Sequence, residues 1–304
     1  MSDALAAFVD RHPRLFVLTG AGVSTDSGIP DYRDERGAWK RAQPMTWQAF
    51  TGSVAARQRY WGRSMIGWPR IAAALPNDAH RALARLEDAQ RLRLLVTQNV
   101  DGLHQRAGSR SVVDLHGRLD RVVCLTCRRL EPRLAFQHRL QALNPQWQAA
   151  SIATAPDGDA ELDGVDYARF VLPACEACGG ILKPDVVFFG ESVPRDRVET
   201  ARAALAGSDA MLIVGSSLMV FSGFRFAREA AQLGKPIASV SLGVGRADDL
   251  LSLKVCKPVA EALRPLLADD SPVRGARTHP AAGWPAPSGA ATTPDAATVS
   301  AAPR

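Results

Sequence analysis

The chain has 304 residues, 46% of them apolar and 22% charged, a balance that excludes a wholly disordered or collagen-like polymer. Its net charge is +6, from 37 basic and 31 acidic residues, which is mild for this length and does not call for a nucleic-acid partner. No apolar run approaches the ~18 residues of a membrane span. The first residues, MSDALAAFVDRHPRL, carry acids at Asp3 and Asp10 and lack the basic-then-apolar order of a leader. A cytoplasmic protein with no membrane partner is expected.

The first element in chain order is the apolar run 15–19, which reads as a buried parallel strand. Gly20-Ala-Gly22 and Ser24 follow, the strand, tight turn and helix start of a nucleotide site. The third glycine of a dehydrogenase fingerprint is replaced by Thr25, and no acid stands at the usual distance beyond it. A dinucleotide would therefore bind in another manner. Residues 36–75 read as helical, with Trp39, Trp47, Tyr60, Trp61 and Trp68 interspersed. Further strands are predicted at 92–96, 112–115, 185–189, 210–214 and 236–240, with helices at 77–90, 194–207 and 223–233. Strands alternating with helices predict an α/β fold with a doubly wound parallel, Rossmann-like sheet. Gly20, Thr97, His116, Gly190 and Gly215 each follow a predicted strand, so one cleft at the strand ends is expected.

The five cysteines divide into Cys124-x-x-Cys127, Cys175-x-x-Cys178 and a lone Cys256. Two such pairs supply the four thiolates of a tetrahedral zinc site. With four protein ligands no position is left for water, so one structural ion per chain is expected. His116 could take a proton near neutral pH, or serve only in packing. His104 carries the same two readings, while Gln98, Asn99 and Asp101 form a polar group after a strand, read either as ligand contacts or as helix capping by Asn99 or Asp101. From Ser271 onward the chain holds 10 Ala and 6 Pro in 34 residues, too few large apolar side chains to order it. The expected division is a Rossmann-like domain from 1–35, 76–118 and 183–268, a helical module at 36–75, a zinc-binding module at 119–182 and a disordered tail at 269–304.

Taken together, these stretches resemble the sirtuin family. The resemblance rests on the run from Gly20 to Arg33, on Thr97-Gln-Asn-Val-Asp-Gly-Leu-His104, on Leu115-His-Gly117, on the cysteine pairs, on Lys183-Pro-Asp-Val-Val-Phe-Phe-Gly-Glu191 and on Gly215-Ser-Ser-Leu218. It covers roughly residues 8–267. Arg59-Tyr-Trp-Gly-Arg63, Gly67-Trp-Pro69 and the 155–159 loop look most like class II, the lipoamidase-type branch.

The resemblance implies NAD-dependent removal of an acyl group from lysine in protein substrates, with release of nicotinamide. It makes His116 the general base and gives Asn99 the ribose and catalytic water. It assigns Gly20, Ala21, Gly22, Ser24, Ile29, Asp31, Tyr32, Arg33, Gln98, Asp101, Gly215, Ser216, Ser217, Ser241 and Val259 to the dinucleotide. Ser241 and Val259 depart from the Asn and Cys common in the family. The acyl-lysine peptide would add a strand along Val187, Phe188, Phe189, Gly190 and Glu191. Tyr60 and Arg63 match a pair that reads an acyl carboxylate in desuccinylase-type members, which implies a preference for acidic or bulky acyl groups. Other readings of the same motifs are mono-ADP-ribosyl transfer to protein and a zinc-ribbon nucleic-acid module. The acidic loop 157–166 speaks against the second, since it would repel phosphate. A monomer is expected.

Overall fold

The computed structural model describes residues 2–40, 44–147 and 166–267. The 269–304 tail, the 155–159 loop and all but the last residue of the acidic loop lie outside the described residues. In chain order the elements are α1 (Ser2–Arg11), β1 (Leu15–Thr19), α2 (Trp47–Gly52), α3 (Val54–Ala73), α4 (Asp78–Asp88), β2 (Leu92–Thr97), α5 (Leu103–Arg106) and β3 (Val112–Asp114). Then come β4 (Gly117–Cys124), β5 (Leu130–Pro132), α6 (Arg133–Leu143), β6 (Leu182–Val186), α7 (Arg195–Ala206), β7 (Ala210–Val214), α8 (Phe221–Gln232), β8 (Ile237–Val240), β9 (Leu253–Val255) and α9 (Val259–Leu263).

Six strands form one parallel sheet in the order β3-β2-β1-β7-β8-β9. Its inner strands are apolar on both faces, as a sheet covered by helices on both sides requires. In β1, Leu15 and Val17 join the core shared with α1, α4 and α9. Phe16 and Leu18 point the other way, into the core shared with α7 and α8. β1 has β2 on one side and β7 on the other, so the switch point of the sheet lies between the ends of β1 and β7.

The smaller unit is an antiparallel sheet, β5-β4-β6, packed with α3 and α6 around a third core. Trp61 and Phe136 meet there with ring centroids 4.5 Å apart, and Trp61 Nε1 donates to the Leu182 carbonyl at 3.3 Å. The strand expected at 185–189 in the main sheet is corrected here. It runs instead from Leu182 to Val186 and pairs with β4. Phe188 and Phe189 escape the strand and face the cleft. Of the helical insertion, the part before Trp47 forms no helix among the described residues.

Behind the β1 end lies a buried polar cluster. Asn77 caps α4 by accepting from the Ala79 and His80 amides, and its Nδ2 donates to Val23 O at 2.8 Å and Ser27 Oγ at 3.0 Å. This one side chain ties the helix start to the turn that follows β1. The His80 and His104 rings lie 4.8 Å apart, and His104 Nε2 sits 2.9 Å from Thr19 Oγ1. Burial pushes the His80 pKa down to about 4 and that of His104 well below its ordinary value. Both rings are neutral when folded, whereas the unfolded chain takes up protons near pH 6.5. Their contribution is full above pH 6.5 and is lost as the pH falls toward 4. The melting temperature should therefore drop between pH 6.5 and 5, and His80→Gln should make that drop shallower in thermal melts.

Candidate active site

The ends of β1, β2 and β7 open into a cleft of about 1060 Å³. Its floor is built by backbone. Gly22 N donates to Gly215 O at 2.9 Å, and Gly20 N to Val214 O at 3.1 Å. A Cβ on Gly20 would stand 2.7 Å from the Cβ of Ser216, and one on Gly215 2.5 Å from Val23 N. Only glycine lets the two turns touch, and Gly215 also holds φ +61°, a left-handed conformation that glycine adopts without penalty. The result is a pair of turns that line the cleft with backbone unshielded by side chains, which lets a phosphate approach closely.

A hydrogen-bond chain lines one wall. Asn99 Nδ2 donates to Ser24 Oγ at 3.1 Å, and Ser24 Oγ–H donates to Asp101 Oδ2 at 2.7 Å. Asp101 also accepts from the Leu103 amide at 2.9 Å. Burial raises its pKa, while those hydrogen bonds pull the other way. On the opposite turn, Ser216 Oγ–H donates to Gln98 Oε1 at 2.6 Å. Arg33 donates to Gly37 O at 2.7 Å and stacks 3.9 Å from the centre of the Trp39 ring. Asp31 is paired with Lys40 at 2.5 Å.

His116 stands where the two sheets join. Its Nδ1–H donates to the Gln98 carbonyl at 3.0 Å, which leaves the Nε2 lone pair facing Ser222 Oγ–H at 2.8 Å. Burial is the main cause that pushes its pKa down to about 4, with the nearby charges of Arg197 and Arg225 adding to it and the Gln98 carbonyl opposing. The ring is therefore neutral at pH 7 and carries a free base on the cleft side. Gly117 makes this position possible. It holds φ +82°, and a Cβ there would lie 2.0 Å from the Asp185 carbonyl oxygen. Val187 N then donates to His116 O at 2.8 Å and draws β6 alongside.

Past β6 the chain crosses the cleft as Val187–Glu191. Lys183, 3% exposed, props this segment from beneath. Its Nζ donates to the Val186 carbonyl and lies 3.1 Å from Glu191 Oε2, which in turn accepts from Phe188 N at 2.9 Å. Burial lowers the Lys183 pKa while Glu191 raises it.

Elsewhere, the four paired cysteines converge, with their sulfurs all within 4.8 Å of one another. The two turns match: Arg128 and Gly179, each just after the second cysteine of its pair, have φ +63° and +71°. The backbone N–H of Cys127 is the main cause that brings the Cys124 thiol pKa down to about 6, toward the thiolate a metal needs. Four thiolates in this arrangement fit a structural zinc ion.

The sequence from residue 20 to 222 matches the Sir2 family. An "NAD-dependent protein deacetylase" of Xanthomonas campestris pv. campestris (strain 8004) is 60% identical over 273 residues, covering 90% of this chain and 93% of that protein. The chain belongs to the Sir2 family. A protein of the same description from Bordetella bronchiseptica is 59% identical over 86% of this chain and 97% of its own length. Among solved structures, a Sir2 with p53 peptide and NAD+ superposes with a TM-score of 0.70 at 27% identity, over 88% of this chain and 97% of that one.

As a Sir2 fold, the structure brings together in one cleft every residue assigned from sequence to the dinucleotide, together with His116 and Val187–Glu191. Ser241 and Val259, the two departures, both line it. Tyr60 and Arg63 do not. Tyr60 is 1% exposed and packs against Phe50, Trp61 and Phe188, one layer behind the cleft wall. Sequence reasoning missed Ser222, the partner of His116 Nε2, and Arg225, which also lines the cleft. Neither falls in a motif with a chemical signature, and only the fold brings α8 to His116.

Metal analysis should find one zinc per chain. Stripping it with a strong chelator, or replacing Cys175 by Ser, should lower the melting temperature, because removing the ion leaves four thiols facing one another.

Proposed function

We propose that this chain is an NAD-dependent protein lysine deacylase that transfers the acyl group to ADP-ribose and releases nicotinamide. The observation that carries this reading is His116: a neutral imidazole with its base-side nitrogen toward a cleft built from both glycine turns and the Val187–Glu191 segment. NAD, when bound, supplies a ribose carbon from which nicotinamide departs and hydroxyls that receive the acyl group. Gly20, Gly22 and Gly215 would let its phosphates lie close against the backbone of the two turns, with the Ser216 hydroxyl at hand. The Asn99–Ser24–Asp101 chain would orient the ribose end. The tie to Gln98 O keeps the proton on Nδ1, so Nε2 can accept one from a hydroxyl when Ser222 yields its place. The substrate peptide would pair with the backbone at Phe189–Glu191, which Lys183 holds in place.

Two finer assignments belong to the same reading. The motif Arg59–Arg63 supports placement in the lipoamidase-type branch. The Tyr60-x-x-Arg63 motif, although Tyr60 stands one layer behind Phe188, supports a preference for acidic or bulky acyl groups. Cytoplasmic monomers are part of this reading too, and size-exclusion chromatography tests the second point.

His116→Phe should lower the rate of acyl loss by about 10²-fold or more. Mass spectrometry of an acetyl, pentanoyl and glutaryl peptide panel with NAD reads that loss and ranks the acyl groups. Nicotinamide release with an ADP-ribose adduct on the peptide, and no acyl loss, would instead make the chain a transferase. Lys183→Met should raise the KM for the acyl-peptide roughly tenfold, the effect of losing one charge-assisted bond. Its kcat and the KM for NAD should hold, and Lys183→Arg should restore most of the peptide affinity.

A further inference from the structure

Beyond His116 the cleft ends between the first turns of α7 and α8. Arg195, Phe221 and Arg225 line this end. Phe221 is 48% exposed, and the guanidinium groups of Arg225 and Arg228 lie 5.3 and 5.9 Å from its ring centre.

The charge here is one-sided. Among the described residues, no carboxylate comes within ion-pair distance of Arg197, Arg225 or Arg228. Of the acids close by, Glu229 pairs with Arg202 at 2.8 Å, Glu199 with Arg195 at 2.6 Å and Glu191 with Lys183, while the exposed Asp196 of the first turn of α7 pairs with none of these arginines. Arg225 Nε is buried with no acceptor. Cationic groups gathered around an exposed aromatic ring, without counter-charge, favour an incoming carboxylate through charge-assisted bonds. Arg225 lines the same cleft as His116, and its charge, with that of Arg197, bears on the base.

Resting on the deacylase reading, we infer that Arg225, with Arg228 beside it around Phe221, is a specificity rim that pairs with an acidic side chain of the substrate protein next to the acyl-lysine. The polypeptide, not the acyl chain, is the source of that carboxylate. The acyl group must reach inward to His116 and Asn99, whereas Phe221 and Arg228 are exposed at the outer end of the cleft, where a flanking peptide would run. The dinucleotide phosphates have their own cradle at Gly20–Ser24 and Ser216.

The test is kinetic, on the full chain, with two peptide pairs. One pair carries acetyl-lysine between acidic or between neutral residues. The other carries glutaryl- or pentanoyl-lysine between neutral residues. The wild type should favour the acidic-flank peptide by about tenfold in kcat/KM, mostly through KM, the size of one charge-assisted pair. That ratio should shrink as NaCl rises from about 50 to 500 mM. Arg225→Gln should bring it toward unity, and Arg225→Lys should keep part of it. Because a ratio is read, a variant with a lower overall rate still reports. Equal turnover of acidic and neutral flanks overturns the inference, as does a ratio unchanged in Arg225→Gln. So does an effect confined to the glutaryl-to-pentanoyl ratio, which would make Arg225 an acyl reader, or one confined to the KM for NAD. If the wild type removes no acyl group from any peptide, the deacylase reading fails by itself. Fluorescence anisotropy with the same labelled acidic and neutral peptides then still decides the rim: a preference for the acidic peptide that Arg225→Gln removes supports it, and equal binding ends it.

Discussion

The structure depends on two turns that touch. Gly20 and Gly22 leave β1, Gly215 leaves β7, and no side chain fits between them. Their contact closes the cleft floor. It also brings Ser216 to Gln98, which in turn fixes the proton on His116. A methyl group at Gly215 would meet Val23 N at 2.5 Å in a conformation that already disfavours any side chain. The cofactor floor and the base are thus consequences of one close backbone approach, reached through Gln98.

A second seam joins the two sheets. Gly117 lets β4 cross against β6, and the hydrogen bond from Val187 to His116 carries the join into the cleft. The cysteine cluster stands at the far end of the same two strands, where Cys124 and Leu182 pair. The metal therefore holds the small sheet that carries Lys183 and the segment beyond it, and acts on the reaction only through that scaffold.

Much of this was legible in the sequence. The main sheet showed because β1 and β7 are buried at every position, so each reads as an unbroken apolar run. The cleft residues showed because glycines and short polar side chains follow those runs. The small sheet was obscured for a physical reason. β4 carries Arg118, Asp120 and Arg121 on its open face, and β6 contains Lys183 and Pro184, which a ladder accepts only at an edge such as this one. The apolar run Val186–Phe189 therefore looked like the strand, although Phe188 and Phe189 serve the cleft. Tyr60 and Arg63 both lie in α3, but sequence spacing does not say which layer a helix face meets. Ser222 and Arg225 had no local signal, because α8 reaches His116 only through the packing of the sheet.

Both edge strands of the main sheet, β3 and β9, are three residues long. β9 carries Lys254, held by Asp248 at 2.6 Å, and β3 ends in Asp114, held by Gln105. So short an edge gives a foreign strand too few backbone groups to add on, and its charged residues oppose stacking of copies. At the cleft one side of Phe189 is already taken, by the Trp47 amide at 2.8 Å. The main sheet thus closes its edges to unselective strand pairing, and on the proposed reading an extended chain meets the molecule at the cleft, where side chains as well as backbone decide what is accepted.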